Sequence, residues 1–250
     1  MSDSTKTPAI IVIRHGEDMP DDANGNAENT PCDNTYAFPG FPGSCGKPDH
    51  KGYVVPEGEI RLYRLSLSNA EKHKPNKPFG ESQAAALAKA MPNWLLNTMN
   101  IAPITHIIVK RPYGQSDTTN PFQTVWQFAD WIQNNQKDLR PNGADIKFEL
   151  PTQPTKDKGT VKCLPFDVAD LMKNPNSTFI CWDRQGLWAD SSAEKGEFIL
   201  TSLCKEDDQP KLIRPVKGQT IYVFTNPDSK GKYSLDVLHN LSLDNGGSIS

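Results

Sequence analysis

The chain has 250 residues, with 27 Lys and Arg against 30 Asp and Glu, 21 Pro, 17 Gly and five Cys. That length is at the upper end for one domain, here 1–250 with no composition break, and is enough to bury a sizeable core. The near-neutral balance, without a Lys/Arg run or an acidic tail, argues against nucleic acid as a partner and against a disordered tail, and the apolar runs are far too short to cross a membrane.

The first element is Ile10-Ile11-Val12-Ile13, β-branched and unalternating, the pattern of a strand buried on both faces in a parallel sheet. It stops at Arg14-His15-Gly16-Glu17. An arginine and a histidine at a strand's carboxyl end stand where open α/β sheets place their ligands. Glycine allows a tight turn there and puts no side chain in a ligand's path. A neutral imidazole attacks phosphorus and carries the phosphoryl group, while a neighbouring guanidinium holds the phosphate oxygens.

Residues 18–56 are rich in Pro, Gly, Asn and Asp, with Phe38-Pro39-Gly40-Phe41-Pro42-Gly43 at the centre, which predicts a long loop insertion at about 18–58. Loops of that length are usually functional or disordered. This one leaves directly from the Arg-His-Gly turn and is placed to cover a pocket, with Tyr36, Phe38, Phe41 and Tyr53 either lining the cover or anchoring it. Residues 59–67 alternate polar and apolar, as in a half-exposed strand or hairpin arm. Residues 80–91, rich in Ala and Leu, predict a helix.

Residues 105–109 predict a buried strand ending at Lys110-Arg111-Pro112, with His106 a satisfied buried polar group. Asn120-Pro121 opens a helix to about residue 134, with Asn as N-cap and Pro at the first helical position. Residues 146–150 alternate as a strand, 167–173 make a short helix, and 177–182 form a further buried strand followed by Asp183-Arg184-Gln185-Gly186. Trp182 and Trp188 flank Arg184, either as core or as stackers on a substrate ring. Residues 220–224 and 233–237 read as a C-terminal antiparallel hairpin toward the sheet edge.

The N-terminus carries no apolar signal region, so a cytoplasmic location is expected. Cysteines at 32, 45, 163, 181 and 204, odd in number and without CxxC spacing, fit reduced thiols better than a disulfide scaffold or zinc site. Cys32 and Cys45 share one loop and pair only in an oxidising compartment; Cys181 lies in an apolar run as a small core residue. His50, His73, His106 and His239 show no metal-ligand spacing, and the chain has no P-loop, GxGxxG or GxSxG motif.

Three segments resemble the motifs of the histidine phosphatase (phosphoglycerate mutase-like) superfamily. They are Arg14-His15-Gly16-Glu17 after the first strand, Gly80-Glu81-Ser82-Gln83-Ala84 opening the first helix, and Thr124 in the helix opened by Asn120. Cys181-Trp182-Asp183-Arg184 resembles the family's second catalytic segment, and the loose likeness runs from Ala9 to about Leu241. The resemblance implies a three-layer α/β/α sandwich with a mixed, mostly parallel sheet. It also implies phosphomonoester hydrolysis through a phosphohistidine at His15, with Arg14 on the phosphate and no metal or cofactor.

The chain departs from the family at two positions: Asn120 stands where a second arginine is expected, and Arg184 where a second histidine is expected. Arg14, Arg184 and Arg111 are the candidate phosphate ligands, and Asn120 reads as a helix cap before a phosphate contact. Glu17, Asp18 and Asp183 are the candidate general acids, Asp183 either facing the site or pairing with Arg184. Losing one positioned donor costs about 10²–10³ in rate. The expectation is therefore a divergent phosphatase, or a catalytically degenerate relative that binds a phosphorylated or anionic small molecule or a protein partner. A third reading gives the 18–56 loop an unrelated chemistry.

Overall fold

The computed structural model describes residues 6–16, 80–110, 120–135, 147–149, 164, 166–189, 197–242 and 247–250. The loop expected at 18–58, the strand expected at 59–67, and Cys32, Cys45 and Cys163 lie outside the described residues. In chain order the elements are β1 (Ile10–Arg14), α1 (Gly80–Asn97), β2 (Ile104–Val109), α2 (Asn120–Asn135), β3 (Lys147–Glu149), α3 (Val168–Met172) and β4 (Ser177–Trp182), then α4 (Arg184–Leu187), α5 (Ile199–Leu203), a 3₁₀ turn (Glu206–Lys211), β5 (Thr220–Thr225), β6 (Ser234–Ser242) and β7 (Ser248–Ile249).

The strands form one mixed sheet of seven in the order β3-β2-β4-β1-β5-β6-β7. β1, β2, β3 and β4 are mutually parallel, because each connection between them carries a helix that returns the chain to the starting edge. β1 against β5, β5 against β6 and β6 against β7 are antiparallel. Parallel and antiparallel neighbours are thus equal in number, where a mostly parallel sheet was expected. The expected hairpin, returned by residues 226–233 that are too short for a crossover, supplies one antiparallel pair; β5 running antiparallel to β1 and β7 pairing outside β6 supply the other two.

The unalternating strands bury both faces. Ile11 and Ile13 of β1 join a core with Leu87, Met91 and Trp94 of α1 and Val125, Phe128 and Ile132 of α2. Ile10 and Val12 join a second core with Leu171 of α3, Leu187 of α4 and Ile199, Leu200 and Leu203 of α5. Burial of these apolar side chains contributes about 1.5–3 kcal/mol each, the main term that holds helices to the sheet. Cys181 is a buried free thiol in the first core, as expected, and Trp182 lies in the second, which removes it as a stacker on substrate.

Three elements differ from expectation. α1 runs on through Pro92 to Asn97, because Trp94 and Leu95 beyond the proline are buried and their packing offsets the lost backbone bond. β6 reaches Ser242 and β7 pairs outside it, so the hairpin lies inside the sheet and β3 and β7 are its edges. α4 and α5, of four and five residues, are too short to leave a helical period in the sequence. Among the described residues no helix is long and apolar enough to cross a membrane.

Candidate functional site

β1 ends in the middle of the sheet, between β4 and β5, and three other segments converge on its last residues. The backbone N–H of His15 donates to Trp182 O of β4 at 3.1 Å, and Gly218 N donates to Arg14 O at 3.0 Å. Gly16 N donates to Thr124 Oγ1 at 2.8 Å, and that hydroxyl in turn donates to Asn120 O at 2.7 Å. Gln83, in the first turn of α1, is buried and donates from Nε2 to Lys217 O at 2.8 Å. Gly218 holds φ at +57°, and a Cβ there would lie 3.0 Å from both Gly16 Cα and Gln83 Cδ. The first turns of α1 and α2 and the turn before β5 are therefore packed around Arg14-His15-Gly16.

His15 is 5% exposed, and its Nδ1 lies 2.7 Å from Gly16 O. A carbonyl only accepts, so Nδ1 carries the proton and, in the neutral ring, Nε2 carries the lone pair. Arg14 is half-buried and donates from Nη1 to Pro215 O at 3.2 Å, which ties its guanidinium to the segment before β5. Tyr222 OH fixes the same segment by donating to Ile213 O at 2.6 Å. Burial holds that phenol protonated well above its ordinary range, and the Arg14 charge acts the other way.

The second half of the site stands beyond β4, one strand over. Arg14 lies opposite Trp182 in the β1–β4 register and His15 N bonds Trp182 O, so Asp183 follows β4 beside the end of β1 and Arg184 opens α4. Asp183 Oδ1 accepts from Gly186 N at 3.0 Å and caps α4, whose first residue is the half-buried Arg184. Asp183 Oδ2 accepts from Lys110 Nζ at 2.5 Å, with the two side chains only 13% and 9% exposed.

The tertiary structure thus brings Arg14, His15, Asp183 and Arg184 to one edge of the sheet. Glu17, Asp18 and Arg111 lie outside the described residues. Asn120 is fully buried as the first residue of α2, its carbonyl accepts from Thr124 Oγ1, and its side-chain oxygen makes no capping hydrogen bond, so the expected N-cap is not made. For Asp183 the expected pairing is corrected: it pairs with Lys110 and not with Arg184, one oxygen accepting from Lys110 Nζ and the other from Gly186 N.

Sequence reasoning missed Lys110, although the signal was present: it ends a buried strand, as Arg14 ends β1. Thr124 and Gln83 were matched as motif letters, and their work in holding Gly16 and the turn before β5 needed coordinates. Among the described residues this edge carries Arg14, Lys110 and Arg184 beside Asp183, with the amino ends of α1 and α2 nearby. The opposite character marks a cavity of about 340 Å³ between β2, β3 and α3, lined by Glu149, Asp167 and Asp170 with His106 and Lys173. There His106 Nε2 lies 3.3 Å from Glu149 Oε2, within ion-pair range but without hydrogen-bond geometry, so the satisfied histidine expected there is not borne out at Nε2. Among the described residues no group of three or more His, Cys, Asp or Glu could hold a metal ion.

Compared with protein-family models, with curated proteins and with solved structures, the chain matches nothing significantly in any of the three.

Proposed function

We propose that this chain is a divergent member of the histidine phosphatase superfamily, with the three-layer α/β/α arrangement of phosphoglycerate mutase-like proteins, and that it hydrolyses a phosphomonoester through His15. The observation that carries the reading is the imidazole itself. It is buried at the carboxyl end of a central strand, its Nδ1 is committed to Gly16 O at 2.7 Å, and two helix amino ends meet beside it. Helices packed on both faces of the sheet support the layered arrangement.

In the proposed reaction the Nε2 lone pair of His15 forms a bond to phosphorus while the bond from phosphorus to the ester oxygen breaks. The electron pair leaves on that oxygen, which takes a proton as the alcohol departs. Water then attacks the phosphohistidine, inorganic phosphate leaves, and Nε2 recovers its lone pair. Arg14 and Arg184 hold the phosphoryl oxygens, whose charge they match at any working pH. Asp183 is committed to Lys110 and Gly186, so the proton for the leaving oxygen falls to Glu17 or Asp18 in this reading.

A second reading has its own observation. Asn120 opens α2 where a second arginine is expected, and Arg184 replaces a second histidine, so the pocket would bind a phosphorylated or anionic small molecule without turnover. Hydrolysis of 4-nitrophenyl phosphate across pH decides between them, with the full chain beside His15→Ala and Arg184→His. The expected result is slow turnover that His15→Ala abolishes and Arg184→His raises, on the order of 10²-fold. Turnover in Arg184→His alone would establish the binding reading. No turnover in any of the three would overturn the phosphatase.

A further inference from the structure

Two polar ring nitrogens lie buried side by side where α1 meets the antiparallel half of the sheet. His239 of β6 is 8% exposed and Trp94 of α1 is 4% exposed, and their rings meet edge-on with centroids 4.8 Å apart. Neither His239 Nε2 nor Trp94 Nε1 has a hydrogen-bond partner. Each therefore keeps its full desolvation cost, which makes this seam weaker than its packing alone. The strand beside it is the shortest in the sheet. Among the described residues β7 pairs with β6 through Leu241 opposite Ile249 and Ser242 opposite Ser248, with reciprocal backbone bonds between Asn240 and Ser250 at 2.9 and 3.2 Å. Ile249 packs on the core shared with α1, and a Cβ at Gly247, whose φ is +108°, would lie 2.9 Å from Ala86 O of that helix. The chain thus enters β7 pressed against α1, and its last residue bonds Asn240, the neighbour of His239.

From this geometry we infer that β7 is a pH-released clasp: a proton on His239 opens the seam between α1 and β6 and lets residues 248–250 leave the sheet edge while the parallel strands stay folded. An imidazolium is a donor at both nitrogens, and Nε2 has neither water nor an acceptor where it lies. Lifting β7 gives up two residue pairs, against the five that join β6 to β5, so opening starts at this edge. Burial is the largest influence on the ring and disfavours its charge; the Ser250 backbone and the Asp236 carboxylate of β6 favour it and do not offset burial. Among the described side chains of the neighbouring elements, β7 has no titratable group, β5 has only Tyr222, which lies in the other core, and α1 has the exposed Lys89. His239 is therefore the group that titrates at this seam. α1 also carries Gln83, which donates to Lys217 O beside the candidate site, so the seam and the site share one helix. The clasp is independent of the reaction at His15.

The test is backbone amide hydrogen exchange by NMR on the full chain from about pH 7.5 to 5, corrected for intrinsic exchange, with the His239 ring shifts followed in the same samples. Protection of the Asn240 and Ser250 amides is expected to hold above pH 6.5, to fall below it, and to level off at the ring's own lower midpoint. The fall is about tenfold for each pH unit between those two values. Amides of Ile13 in β1 and Phe179 in β4 are expected to stay protected throughout. His239→Phe keeps an aromatic edge against Trp94 and is expected to flatten the profile. Gly247→Ala, whose Cβ has no room beside Ala86, is expected to expose the same two amides at every pH. Protection that does not change with pH in the native chain overturns the clasp. So does a fall that persists in His239→Phe, or one shared equally by Ile13 and Phe179. The native profile set against the native ring titration decides the matter even where a variant fails to fold.

Discussion

Thr124 shows how much one hydroxyl can settle at this site. Its oxygen accepts from Gly16 N and its proton goes to Asn120 O, both in buried surroundings, so a single side chain satisfies a strand-end donor and tethers it to the opening turn of α2. Thr124→Val keeps the shape and removes both bonds, leaving the Gly16 N–H buried without its acceptor. The expected loss is about 1–3 kcal/mol in urea unfolding, with Thr124→Ser close to the native chain. Equal midpoints for the valine and native proteins would show that water takes over the hydroxyl's work. The same substitution frees the backbone on which the His15 ring depends for its Gly16 O partner, so turnover is expected to fall further than stability alone explains.

Among the elements, the segment before β5 is the one that ties the site together. It gives Pro215 O to Arg14, Lys217 O to Gln83, Ile213 O to Tyr222 and Gly218 N to Arg14 O. Gly218 makes this possible twice over, since its φ of +57° is unfavourable for a side chain and the space a Cβ would fill is held by Gly16 and Gln83. Gly218→Ala is expected to cost about 1–2 kcal/mol for the backbone alone. It also pushes against Gly16, so its effect on phosphate binding should exceed that of an equally destabilising change in α5. Native phosphate affinity in Gly218→Ala would separate the turn from the site.

For the molecule as a whole, the seam between α1 and the antiparallel half of the sheet carries a pH-sensitive contact. His239 of β6 is 8% exposed and meets Trp94 edge-on, with ring centroids 4.8 Å apart. Burial holds its pKa below the ordinary 6.5, while the Ser250 backbone bond and the Asp236 carboxylate act weakly the other way. The native ring therefore stays neutral at pH values where the unfolded chain already binds a proton. Linkage then fixes the sign. This contribution is fully present above pH 6.5 and is lost as pH falls from there to the lower native value. His239→Phe keeps an aromatic edge against Trp94 and removes the proton site. Urea unfolding at stepped pH should show a shallower loss below 6.5 in the variant, and parallel curves would exclude His239 as the cause. The other histidines are shared by both proteins, so the difference isolates this one.

Residues 10–13, 105–109 and 177–182 announced buried strands by unbroken β-branched and aromatic runs, and the helices opened by Gly80 and Asn120 declared themselves by composition and period. Those are local signals, because strand and helix periods are properties of neighbouring residues. The placing of Arg14 and His15 at a sheet edge was legible for the same reason: a strand that stops at Gly must leave its last side chains at its end. What the sequence could not hold is the partner of each polar group. Lys110 finds Asp183 across 73 residues and Gly16 finds Thr124 across 108, and no spacing rule links positions so far apart. The order of the strands, the hairpin's place inside the sheet and the committed oxygens of Asp183 belong to the same class. By itself the sequence determined the main strands and the two long helices among the described residues, and that Arg14 and His15 stand at the end of the first strand. Only the tertiary structure decided which charges meet there, because burial forces every polar group to find a partner and the chain's path decides which one is within reach.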